Sequence, residues 1–161
     1  MKTVGLDKEI DFVEGEKVGS FNHGFVQIKL GAKFLSLGYT PSSELSIDIT
    51  SVKDEFDGFG STLLPDIAVY DERVVDYARD PSRVFDAPLL VVEILSPMQP
   101  VSQLIDKLPI YFALGVQSCW IVYPFSKTVT VYASEDEFES FASGNVIDQT
   151  LGIKIPFVDI F

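Results

Sequence analysis

The sequence predicts a mixed α/β fold of the α+β kind, a mixed central sheet flanked by helices, and three observations lead there. Apolar residues recur first at helical spacing and then at the alternating period of strands. The run Leu89 to Leu95 is apolar on both faces and rich in β-branched residues, as in a central strand covered on both sides. The resulting order, helix, three strands, helix, two strands, lacks the regular alternation of a doubly wound parallel sheet.

Taken in order, the first helix falls on HGFVQIKLGAKFLSLG, where Phe25, Ile28, Ala32 and Leu35 recur at helical spacing. Gly31 weakens it by up to about 1 kcal/mol. ELSIDIT alternates Leu45, Ile47 and Ile49 against Ser46 and Asp48 and reads as a half-buried strand. The acidic segment KDEFDGFG separates it from LLPDIAVY, a second strand entered through Pro65. DERVVDYARDPSRVFDAP mixes charge with proline and has no clean period, so it reads as a loop with room for one helical turn. LLVVEIL is the third strand.

The second helix lies in VSQLIDKLPIYFALG, with Leu104, Leu108 and Tyr111 on one face and Gly115 as its stop. A proline in a helix interior costs about 3 kcal/mol. Either the helix kinks at Pro109 or its regular part begins there, with Pro109 in the first turn. SCWIVYP and KTVTVYASE then form a hairpin around Pro124 to Lys127, and NVIDQTLGIKIPFVDIF supplies one or two short strands.

With 161 residues and no repeat or linker, residues 1–161 are read as one domain. Cys119 is the single cysteine, so no internal disulfide forms, and with one histidine it cannot complete a four-ligand zinc site. A reducing compartment follows. MKTVGLDKEIDF lacks the apolar core of a secretory signal, and no apolar run approaches the roughly 20 residues of a membrane helix. The expectation is a soluble, cytoplasmic protein without membrane contact. The formal net charge of -12 repels phosphate backbones, so a nucleic-acid role needs a local site, or metal ions that reverse the local sign.

Several chemistries are absent from the sequence. No GxSxG elbow accompanies the lone histidine, His23, and neither GxGxxG nor GxxxxGK[ST] occurs. Carboxylates and lysine remain. Glu93 stands inside the most apolar run, where an unpartnered carboxylate would cost several kcal/mol or more, so a partner is required. If the strands bearing Asp66 and Glu93 pair, their carboxylates converge into a hard-oxygen site of the kind Mg²⁺ or Mn²⁺ prefers. The Ile94 backbone carbonyl can add a ligand, and Lys107, on or beside the next helix, can reach the same edge. Each residue also has an ordinary reading: Asp66 as a strand entry, Glu93 in a structural ion pair, Lys107 as a solvated helix residue, Tyr111 in core packing, His23 at the surface or a helix start.

LLPDIAVY, PLLVVEILSP and IDKLPIYFALGVQSCWIVYP, in this order, resemble the Uma-type putative restriction-endonuclease family of the PD-(D/E)XK nuclease superfamily. The resemblance extends from EGEKVGSFNHGFVQIKLGAKFL to the final VDIF. It implies a restriction-endonuclease-like core, Asp66 and Glu93 as metal ligands, and Lys107 as the catalytic lysine. In the superfamily's name motif the lysine follows the acidic residue by two positions, where this chain has Leu95. Many relatives read Glu-Tyr-Trp where this chain has Ser118-Cys119-Trp120, and carry an acidic residue where it has Gln103. His23 matches a histidine common in the family's first helix. The function so implied is a Mg²⁺- or Mn²⁺-dependent endonuclease acting on DNA, with a homodimer as its possible assembly. The alternative is a catalytically silent relative serving as a dimeric regulatory or binding module.

Overall fold

The computed structural model describes residues 19–161. Helix α1 (Phe21–Ser36) starts at Ser20, whose side chain accepts the backbone N–H of His23 at 3.3 Å, a normal N-cap. The chain then forms β1 (Thr40–Ser43), β2 (Ser46–Asp48), β3 (Thr62–Leu63), β4 (Ile67–Tyr70), β5 (Arg83–Val84) and β6 (Leu90–Ile94). Two short helices follow, α2 (Val101–Ile105) and α3 (Leu108–Leu114). The chain ends with β7 (Ser118–Tyr123), β8 (Thr128–Tyr132), β9 (Phe138–Phe141), β10 (Asn145–Asp148) and β11 (Ile153–Pro156).

The central sheet has the order β1-β4-β6-β7-β8-β9. Within it β6 and β7 are parallel and the other neighbours antiparallel. It is the mixed sheet expected, and β6 is buried throughout. One face packs Leu90, Val92, Ile94 and Trp120 against Val26, Leu30 and Phe34 of α1 and against the β10-β11 hairpin. The other packs Val91 and Ile121 against Leu104, Leu108 and Tyr111 of α2 and α3.

The structure departs from the expected elements in several places, among them β5 inside the segment read as a loop and the unforeseen edge strand β9. ELSIDIT does yield a strand, but β2 belongs to a separate small sheet, β3-β2-β5, anchored by the ion pair of Arg83 with Asp48. The outer strand of the central sheet is the unforeseen β1, whose polar TPSS tolerates Pro41 because an edge strand needs fewer ladder donors. In α1 the stripe Phe25, Ile28, Ala32 and Leu35 faces solvent, and the sheet takes the opposite stripe ending in Phe34, whose ring lies 5.6 Å from that of Trp120.

Pro109 resolves as the second of its two options. The regular helix α3 begins at Leu108, with Lys107 as N-cap and Pro109 in the first turn, where its missing N–H leaves no gap. Gly115 ends α3 at φ 103°, a left-handed conformation that glycine adopts freely. The β10-β11 hairpin is held by Asp148, fully buried, which accepts from Ser118 Oγ at 2.5 Å, Trp120 Nε1 at 2.8 Å and the Leu151 N–H at 3.1 Å. Among the described residues no helix is long and apolar enough to cross a membrane.

Candidate active site

The site begins with strand register. Ile67 of β4 pairs with Val92 of β6 at the end of their antiparallel ladder, and Asp66, directly before Ile67, and Glu93, directly after Val92, stand at this same end. Both are buried, at 2 % and 1 % exposure. Asp66 Oδ2 accepts the Ile94 N–H at 2.6 Å, which ties the end of one strand to the start of the other.

The first turns of α1 hold Asp66 from a second direction. His23 Nε2 lies 3.1 Å from Asp66 Oδ1, and Gln27 Nε2, one helical turn on, donates to the Asp66 backbone carbonyl at 2.8 Å. The Glu44 N–H donates to the same carbonyl at 3.2 Å. His23 is at a helix start as expected, but it is 6 % exposed rather than on the surface. The spacing of His23 and Gln27, four apart on one helix face, was the available signal; that this face meets Asp66 is a tertiary fact.

Glu93 is held from the other side of the sheet. Lys107 Nζ donates to Glu93 Oε1 at 3.0 Å, and the Tyr111 hydroxyl donates to the same oxygen at 2.6 Å. Lys107 and Tyr111, again four apart, point together because α3 starts between them and carries both toward β6. Burial first, then the charge of Glu93 and the bond to it, push the Tyr111 phenol well above its ordinary pKa, so it stays a donor. Tyr111 thus both packs in the core, as expected, and bonds the carboxylate, which the sequence did not reveal.

Asp66 with His23, and Glu93 with Lys107, thus meet at one edge of the sheet, and carboxylate oxygens are the donors hard cations prefer. The donor chemistry fits a hard ion. Both bonds to Glu93 end on Oε1, and no described residue donates to Oε2. In an extended strand the N–H and C=O of one residue point to the same side, so the Ile94 carbonyl faces the edge on which its N–H meets Asp66. No cluster of three or more His, Cys, Asp or Glu side chains suited to a metal occurs among the described residues. One or two carboxylates with water completing the shell is the arrangement Mg²⁺ typically uses.

In sequence, residues 7–156 match the family described as Uma2, putative restriction endonuclease. In structure, the chain is similar to a crystal structure of a putative nuclease belonging to DUF820 from Anabaena variabilis, with a TM-score of 0.71 at 20% identity, covering 93% of this chain and 88% of that one. That likeness establishes the fold. Among curated proteins none matches the chain in sequence.

Proposed function

The chain belongs to the Uma2 putative restriction endonuclease family, and from that premise we propose that it is a Mg²⁺- or Mn²⁺-dependent endonuclease hydrolysing DNA phosphodiester bonds. The observation that carries this reading is that Asp66 Oδ2 accepts the N–H of Ile94, the residue after Glu93, at 2.6 Å, with Lys107 Nζ 3.0 Å from Glu93 Oε1.

Asp66, Glu93 and the Ile94 carbonyl would hold the ion. Such an ion supplies Lewis acidity at a phosphodiester and acidifies water near neutral pH. The protein's own groups do the rest. The Ile94 N–H, His23 and Gln27 fix the position of Asp66, and Tyr111 fixes Glu93, so neither carboxylate must reorganise when charge builds up. Lys107, whose side chain is largely buried, brings a positive charge to the edge, where it would orient the attacking water and offset charge building up on the phosphate. The overall charge of -12 makes the ion doubly necessary, since it reverses the sign of the potential at the point where the phosphate must arrive.

Nicking of supercoiled plasmid tests the proposal. Cleavage should require Mg²⁺ or Mn²⁺, stop with EDTA, and be lost in Asp66→Asn and in Glu93→Gln. Metal-dependent cleavage at the wild-type rate in both variants would refute it.

A further inference from the structure

The β7-β8 hairpin emerges at the carboxylate edge. Strands β6 and β7 run parallel, Glu93 pairs with Ile121 and Ile94 with Val122, and the Leu95 N–H donates to the Val122 carbonyl at 2.9 Å. Strand β7 therefore leaves the sheet at the edge where Asp66 and Glu93 meet. The turn of Pro124, Phe125, Ser126 and Lys127 joins it to β8, with Tyr123 paired to Thr128 at the base. At about 3.3 Å per residue and about 4.8 Å between strands, Phe125 is within about 14 Å of the Glu93 backbone.

One backbone bond closes this turn. Proline fixes φ at position 124, the Lys127 N–H closes on the Pro124 carbonyl at 3.2 Å, and Lys127 itself sits at φ 50°. At its tip the Phe125 side chain is 104% exposed, the highest value among the described large apolar residues. A lone exposed apolar residue is ordinary on a protein surface. Its place is what matters here: the tip of a closed turn on the edge of the sheet that holds the two carboxylates, next to an exposed lysine that no described acid engages.

We propose that this tip grips the substrate strand: Phe125 stacks on an unpaired nucleobase close to the scissile phosphate, and Lys127 takes a neighbouring phosphate. The inference rests on the reading of Asp66 and Glu93 as a phosphodiester site and names what that site holds. A chain of charge -12 gains little from a broad phosphate contact surface, whereas base-aromatic stacking needs no net positive charge. Stacking also tolerates any base, so the contact would position a strand without reading sequence.

Fluorescence anisotropy with a labelled single-stranded oligo(dT), in Ca²⁺ in place of Mg²⁺, tests the contact apart from cleavage. Phe125→Ala should weaken binding by about tenfold and Phe125→Trp should restore it. Lys127→Ala should reduce the slope of log affinity against log salt by about 0.7. All three variants should keep the wild-type thermal midpoint and Mn²⁺ affinity. Wild-type binding in Phe125→Ala, or equal rescue by Phe125→Leu, would overturn the stacking contact while leaving the metal site standing. Loss of Mn²⁺ binding and nicking in the wild-type chain would instead overturn the reading on which it rests.

Discussion

Replacing Lys107 by methionine keeps most of the aliphatic stem and removes the ammonium. In the wild-type chain the Glu93 side chain is 2% exposed and that of Lys107 16%. After the change Glu93 keeps the Tyr111 hydroxyl at 2.6 Å but loses its counter-charge. Removing one partner of a buried pair costs about 3–5 kcal/mol because the other is left uncompensated. Water reaches the lysine end of this pair, so the lower end applies, about 3 kcal/mol, a factor of roughly 150 in the folded-to-unfolded ratio. Glu93→Gln should cost less, about 1 kcal/mol, because Lys107 sits at a helix junction from which its tip can turn to solvent. The double variant should then be more stable than the sum of the singles implies, by about 2 kcal/mol. Urea unfolding followed by the fluorescence of Trp120, the single tryptophan and fully buried, measures all four proteins. Lys107→Met within about 0.5 kcal/mol of wild type, or strictly additive singles, would refute the coupling of Lys107 to Glu93.

Three further outcomes follow from contacts away from the site. Trp120→Phe removes the indole N–H from a fully buried Asp148 and should destabilise by about 2–3 kcal/mol in the same urea assay, with an unchanged slope. Asp48 is held below its ordinary pKa of 3.8 by hydrogen bonds from Thr50 and by Arg83, against the opposing effect of burial. Its folded pKa lies below the unfolded one, so its contribution is fully present above about pH 4 and is lost as pH falls through the folded value. The stability gap between wild type and Asp48→Asn should therefore be full at pH 7 and begin to narrow as pH falls below about 4. Cys119 is buried, and burial followed by the charges of Glu93 and Asp148 pushes its thiol well up. A thiol reagent at pH 8 should label it only after unfolding.

What the sequence disclosed depended on how locally each feature is encoded. LLVVEIL and the hairpin around Pro124 to Lys127 were legible because a buried strand and a tight turn each have a local composition. Strand β1 was not, because TPSS carries no apolar alternation and is a strand only by virtue of the β4 edge it pairs with. Helix α1 offered two apolar stripes, and nothing local says which one a sheet will cover. The meeting of Asp66, Glu93 and Lys107 could be anticipated from their chain order on successive elements. The grip of His23 and Gln27 on Asp66, and the Tyr111 bond to Glu93, arise from packing across separate layers and left only i,i+4 spacing in the sequence.

The central claim is that Asp66 and Glu93 hold a divalent ion, and titration of Mn²⁺ into the protein by calorimetry tests it most directly. Wild type should show saturable single-site heat, and its unfolding free energy should rise by about 1.4 kcal/mol at tenfold Kd. Asp66→Asn and Glu93→Gln should show neither effect. No heat and no thermal shift in wild type at millimolar Mn²⁺ would contradict the claim and leave Glu93 and Lys107 as a structural ion pair in a silent binding module.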